Sequence, residues 1–369
     1  MVAVSGACMG TATAGATPAA ATVTSALSAV SCPTTTDCVA VGSTGQTGSS
    51  ALVERWNGTT WRVVPTPPTG ATDTLLDGVS CSGPDACTAV GYTTTGNPSQ
   101  NSAPVAERWD GKSWTIQTPP VPPGTNVTAD LYSVGCPSTD RCLAVGIYTV
   151  DGVGTGSLAE LWNGTAWTLE PSTYPSPELL SVSCATHHSC VAVGQFGGQT
   201  AADRLDGNTW TTMRPPDPTT PIPGDGLLAV GCTATPTLGC QTVGFEDSGD
   251  FSQSTIGYGW SPGTWNFEYT PSPGNRALLT AVSCATGTAC VAVGWHPVPS
   301  VGILPLFGVW DGTTWRTLSS PLVRGAMDGV ACPAADSCTA VGSRPIGRTL
   351  VEHWNGTVWQ VESSPNPTA

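Results

Sequence analysis

Short runs of alternating apolar and polar residues, divided by glycine, proline and polar turns, follow one another along the chain. The first set reads Leu27-Ser-Ala-Val-Ser-Cys32, Cys38-Val-Ala-Val41, Ala51-Leu-Val-Glu-Arg-Trp56 and Thr60-Trp-Arg-Val-Val64. Successive side chains of a strand point to opposite faces, so period-two alternation predicts half-buried strands. These four are labelled A to D. No stretch carries a convincing 3.6-residue apolar stripe, so no helix is predicted.

The set recurs. Its first cysteine falls at Cys32, Cys81, Cys136, Cys184, Cys232, Cys284 and Cys332, a period of 48 to 55 residues. The repeats start near Leu27, Leu76, Leu131, Leu179, Leu227, Leu279 and Met327. Four strands repeated seven times at this period predict an all-β, seven-bladed β-propeller with four antiparallel strands per blade. The repeat overrides the two or three domains that 369 residues would otherwise suggest, and residues 22–369 are read as one domain.

Fifteen cysteines divide into Cys8 and seven pairs: Cys32 with Cys38, Cys81 with Cys87, Cys136 with Cys142, Cys184 with Cys190, Cys232 with Cys240, Cys284 with Cys290, and Cys332 with Cys338. The intervals are short enough to join strands A and B, so one disulfide per blade is expected. Closing so small a loop contributes about 2 kcal/mol. Zinc would call for Cys-x2-Cys spacing or recurring histidines, and neither is present. Disulfides place the protein in an oxidising compartment, secreted or extracellular. Residues 1–21, uncharged and ending in Ala19-Ala-Ala21, are read as the remnant of an export signal or a disordered leader, whose removal would also remove Cys8.

Strands C and D meet at Asn57-Gly58, read as a type I′ hairpin turn, with analogues at Asp110, Asn163, Asp206, Asp311 and Asn355 followed by glycine; Ser261-Pro-Gly263 is the exception. That turn sets Trp56 opposite Thr59 and diagonal to Trp61, close enough for the indoles to touch. Trp pairs recur in every unit except the fourth, where Leu205 precedes Trp210, and a recurring pair is expected to pack between blades. Glu54, Glu107, Glu160, Asp203 and Glu352, two before the first Trp position, are expected to accept hydrogen bonds from a neighbouring blade or hairpin.

Small residues three before the first cysteine (Ala29, Gly78, Ser133, Ser181, Ala229, Ala281, Gly329) suit a crowded innermost strand A. The A-B loops and C-D turns then share one stereotyped rim. The B-C and D-A connections form a variable rim, where a repeat protein places its function.

The repeat resembles those of secreted bacterial seven-bladed β-propellers. In Ser183-Cys184 to Gly194 it is similar to the Ser-Cys-x5-Cys-x-Ala-Val-Gly repeats of actinobacterial proteins, and its Trp-[Asn/Asp]-Gly-x-x-Trp hairpin resembles Kelch and Asp-box turns. The resemblance covers Leu27 to Pro365 and implies fold and export rather than a chemistry. The chain begins on strand A and ends on strand D, so no strand shared between the first and last blades is expected.

Candidate chemistry lies on the variable rim. Asp77, Asp130, Glu178, Asp225 and Asp328 stand near the start of strand A, where a ring of carboxylates around the channel mouth would suit Ca²⁺ or a cationic ligand, or would serve turn capping and solubility. No cofactor is otherwise expected. Tyr92, Tyr148, Phe196, Phe245 and Trp295, with His296, follow strand B; Trp295 alone among 14 tryptophans stands outside the repeat. Aromatic faces beside carboxylates are what carbohydrate binding uses, and packing of loop bases is the plain alternative.

The net charge of −14, with Lys112 the only lysine, argues against nucleic acid or an anionic membrane surface as partner. No apolar span long enough to cross a membrane is present. The reading is an exported, monomeric, non-catalytic module binding a carbohydrate or a cell-surface component. The alternatives are a carbohydrate-active hydrolase or lyase using two of the five carboxylates, and a protein–protein scaffold.

Overall fold

The computed structural model describes residues 23–367 apart from 47, 97–100, 152–153, 171–176, 217–223, 235–237 and 248–251. Residues 1–21 and Cys8 lie outside the described residues.

Twenty-eight strands form seven four-stranded antiparallel sheets, each built from consecutive strands in the order A-B-C-D. In blade one these are Thr24–Thr34, Asp37–Gly45, Ser49–Trp56 and Trp61–Val63. Strand A packs on strand A of both neighbouring blades, including blade seven on blade one, so A is innermost and the ring is closed.

Each blade has its predicted disulfide across strands A and B. The bridges join Cys32 to Cys38, Cys81 to Cys87, Cys136 to Cys142 and Cys184 to Cys190 in blades one to four. In blades five to seven they join Cys232 to Cys240, Cys284 to Cys290 and Cys332 to Cys338. The Cα atoms of each pair are 3.9 to 4.1 Å apart. The second cysteine of each pair, at the start of strand B, is the more deeply placed: Cys38, Cys87, Cys142, Cys190, Cys240, Cys290 and Cys338 are all buried in the seam cores.

The core lies in the seams. Each apolar cluster combines residues of two adjacent blades, as where Val39, Val41 and Val53 of blade one meet Leu76, Ala89 and Trp114 of blade two. The repeated leucine five before the first cysteine, Met327 in blade seven, is at most 2% exposed in every blade. Trp pairs lie in the same seams with ring centroids 5.7 to 6.3 Å apart. The second Trp reaches the preceding blade where a polar acceptor awaits it: Trp61 Nε1 donates to Glu362, Trp167 to Gln117 and Trp315 to Glu268, at 2.7 to 2.8 Å.

The Ser of the Ser-Cys motif also has a structural role. Ser31, Ser80, Ser183 and Ser283 each accept the backbone N–H of the first cysteine in the next blade, at 2.9 to 3.0 Å. Blades seven and one share no strand. They are joined by Ser25 N–H to the Gly347 carbonyl, the Trp61–Glu362 bond, and Ser364 donating to Glu54.

The C-D turn differs from the expectation by one residue. Trp56 pairs directly with Trp61, so Gly58 and Thr59, rather than Asn57 and Gly58, are the central residues. Gly58 has φ +89°, as a type II′ turn requires at its first central position. Asn57 stands before the turn, and its Oδ1 accepts the N–H groups of Thr59 and Thr60. Its side chain, not its backbone, is what the sequence selects.

Candidate functional site

Strand A bulges at one place in every blade. Leu27 and Ala29 pair with Gly42 and Val41, leaving Ser28 unpaired, and the register shifts in the same way in all seven. The bulge explains the glycine of the Ala-Val-Gly motif: a Cβ on Gly42 would overlap the Ala26 carbonyl oxygen, and the counterpart in each other blade meets the same clash. A bulge re-aims a side chain out of the pleat. The seven bulge residues, Ser28, Asp77, Tyr132, Leu180, Leu228, Thr280 and Asp328, all line the central channel, around a cavity of about 200 Å³.

The channel is therefore two-sided. Blades seven, one, two and three contribute Asp328, Ser28, Asp77 and Tyr132, whereas blades four and five contribute Leu180 and Leu228. Toward the disulfide rim a second cavity of about 260 Å³ is lined by Ser31, Ser183 and Ser283 with the first cysteines of blades one, five, six and seven.

The five predicted carboxylates do not form one ring. Asp77 and Asp328 are bulge residues and line the channel. Asp130 and Glu178 lie two residues earlier, paired with Ile147 and Gln195. Glu178 accepts a hydrogen bond from Gln195 at 2.8 Å. Asp225 is buried and accepts the Asp247 N–H at 3.0 Å. Among the described residues no three His, Cys, Asp or Glu side chains are grouped as metal ligands.

What does come together is a cluster where blades two and three meet: Asp77, Asp130, Tyr92 and Tyr132. Burial pushes Asp77 up to about 7, and the Asp130 charge adds to it. Asp130 is also raised by burial, against a hydrogen bond with Ser102. Burial, then the Asp77 and Asp130 charges, raises Tyr92; burial, then the same two charges in the opposite order, raises Tyr132. Asp328, across blade one from Asp77, is raised by burial to about 6. Asp77 and Tyr132 thus line the channel, and half-buried Asp130 and Tyr92 lie near enough for the carboxyl charges to act on both phenols.

The predicted aromatics divide by strand parity. Tyr92, Phe245 and Trp295 directly follow the strand-B glycine; Tyr148, Phe196 and His296 come one residue later, on the other face. Trp295 is half-buried opposite Leu278 and Pro305, and burial lowers the His296 pKa. Tyr148 packs on the blade-three core, whereas Phe196 is 48% exposed. Tyr92 is the member of this group on which the Asp77 and Asp130 carboxyls act. Tyr132, which sequence reasoning passed over, was legible in one way: it stands four before Cys136, as Asp77 does before Cys81.

The sequence matches no protein-family model and no curated protein. The fold is similar to several solved structures. The β-propeller domain of the Trilobed protease from Pyrococcus furiosus, whose open velcro topology has been described, aligns with TM-score 0.55 at 8% identity, over 92% of this chain and 99% of that one. U3-55K aligns with TM-score 0.55 at 11% identity, over 90% and 95%. YCF48 from Cyanidioschyzon merolae aligns with TM-score 0.52 at 12% identity, over 82% and 88%. The likeness to a β-propeller domain agrees with the seven four-stranded sheets of this chain, a seven-bladed propeller in fold.

Proposed function

We propose that the protein is an exported, non-catalytic binding module that receives a carbohydrate, or another hydroxyl-rich cell-surface component, at the variable-rim mouth of its channel. The observation that carries this reading is the cluster of Asp77, Asp130, Tyr92 and Tyr132. Carboxyls that accept from hydroxyls beside phenol faces that stack on sugar C–H surfaces suit such a ligand. Among the described residues the cluster occurs once, in a molecule whose other features repeat, which supports a function other than holding blades together. Seven disulfides support export to an oxidising compartment, with residues 1–21 as leader and residues 22–369 as the exported domain.

The experiment is retention of the protein on a panel of polysaccharides and bacterial cell-wall preparations, with released products assayed in the same tubes. Retention lost in Tyr92→Ala and Asp77→Asn, with no product from the wild type, supports the module. The action of the Asp130 charge on Asp77 also favours a second reading, a glycoside hydrolase or lyase, because a raised carboxyl beside a second one is an acid–base arrangement. Product formation abolished by Asp77→Asn would select it. Capture of a protein partner with neither retention nor product would select the scaffold.

A further inference from the structure

Four glutamates occupy equivalent places in strand C and are completely buried: Glu54, Glu107, Glu160 and Glu352, each 0% exposed. Each faces the preceding blade, in the seams seven–one, one–two, two–three and six–seven. These four seams are contiguous and include the one closed without a shared strand. The other three seams carry Asp203, Tyr258 and Gly308 at the same position.

Their surroundings are apolar. Across the sheet Glu54 pairs with Ala40 and Val63, Glu107 with Ala89 and Ile116, Glu160 with Ala144 and Leu169, and Glu352 with Ala340 and Val361. Ser364 donates to one oxygen of Glu54; the other oxygen, and both oxygens of the remaining three, have no hydrogen-bond partner among the described residues.

Most charged and titratable groups of these seams are otherwise engaged, Arg344 excepted, whose Nε is buried without a hydrogen-bond partner among the described residues. Arg55 pairs with Asp37 and lies over Trp109 in seam one–two, and Arg108 lies over Trp162 in seam two–three. In seam seven–one, Glu362 takes the Trp61 N–H, and His353 is 3.4 Å from the Thr339 hydroxyl. Arg344 acts on Glu352, more weakly than burial does.

An ionised carboxylate in such a place is far costlier than a neutral acid. We infer that the propeller carries a pH-sensitive closing half: these four glutamates hold the seams as neutral acids, and their ionisation on alkalinisation loosens the ring around the blade seven–blade one closure. Burial agrees in direction, pushing Glu54, Glu107 and Glu352 up to about 7 and Glu160 to about 8. A carboxyl whose pKa is raised on folding binds more protons folded than unfolded. Its contribution is therefore complete below the unfolded value of 4.5 and is lost as pH rises through 7 to 8.

The test is the unfolding equilibrium of the disulfide-intact chain in urea at about pH 5.5 and about pH 8.5, together with amide exchange of the first and last strands corrected for its intrinsic pH dependence. Each pKa unit of difference is about tenfold in the equilibrium. The wild type is expected to be destabilised at least about tenfold at the higher pH, with exchange rising first in the first and last strands. Glu107→Gln and Glu160→Gln should each remove a comparable part of that pH dependence, whereas Asp77→Asn with Asp328→Asn, the channel carboxyls, should lower the overall pH dependence but leave the first-and-last-strand exchange pattern intact. Infrared spectra give a readout independent of stability: the protonated-carboxyl band present at the lower pH should shrink in each Glu→Gln variant. Equal stability at both pH values, or an unchanged carboxyl band in the variants, would overturn the inference.

Discussion

The guanidinium of Arg108 lies 4.6 Å from the centroid of the Trp162 ring, across the seam between blades two and three. The same group donates to the Thr139 carbonyl at 2.7 Å and to the Thr88 hydroxyl at 2.9 Å, so one side chain fastens strand C of blade two to the next blade. Arg55 over Trp109 and Arg204 over Trp260 repeat the contact at 5.3 and 5.6 Å. A flat, forked cation can stack and donate at once, which an ammonium cannot. Arg108→Lys is therefore expected to lower stability by about 1 kcal/mol and Arg108→Ala by about 2 kcal/mol, read from urea unfolding.

The strand-B glycine gives a prediction with its own control. Gly91→Ala would drive a methyl group into the Leu75 carbonyl oxygen and is expected to cost about 3 kcal/mol or more, or to prevent folding. Gly83→Ala meets nothing within 4 Å and should be close to neutral. Thermal unfolding of the two variants side by side separates a clash at the bulge from a general intolerance of alanine.

Replacing Cys81 and Cys87 together by serine is expected to destabilise by about 2 kcal/mol, since each bridge closes a short loop. The loss should be similar in any one blade, because the bridges are equivalent. A markedly larger loss in one blade, measured across seven double variants, would mark that bridge as holding something besides its own hairpin.

Much of the fold was legible because the repeat showed each rule seven times. Strand count, the innermost place of strand A and the disulfides all follow from spacing and residue size. Two features were not. The turn was placed one residue early, because Asn-Gly selects equally for a backbone position and for an Asx side chain capping the turn. The bulge was invisible, since it alters the pairing of strand A without leaving a polar or apolar signature. The bulge residue is the one that lines the channel, so Asp77 and Asp328 reach it, while Asp130 and Glu178 stand two residues earlier, Asp130 near enough to act on Asp77, and Asp225 is buried. The hydrogen bond expected for the strand-C acids is present in Glu54, through Ser364 of the neighbouring blade, and in Asp203, through Thr212 of its own hairpin; Glu107, Glu160 and Glu352 have no such partner among the described residues.

Asp77 ties the channel to pH. Burial raises its carboxyl from 3.8 to about 7, so the folded protein keeps a proton that the unfolded chain releases, and its stability falls as pH rises from about 4 through 7. Asp77→Asn keeps the shape without the charge. It should raise stability by about 1 kcal/mol or more near pH 8, by less near pH 5 and little below about pH 4, while weakening retention of a ligand, the trade expected of a residue kept for binding.

The most direct measurement is retention of the wild type, Tyr92→Ala, Asp77→Asn and Leu322→Ala on the polysaccharide that binds the wild type best, with products assayed in parallel. Leu322 is 89% exposed and remote in sequence from the cluster, so its variant reports on surface change alone. The expected result is retention by the wild type and Leu322→Ala, a loss of about tenfold or more in the other two, and no product. Undiminished retention by Tyr92→Ala and Asp77→Asn, both folded, would contradict a ligand site at the channel mouth.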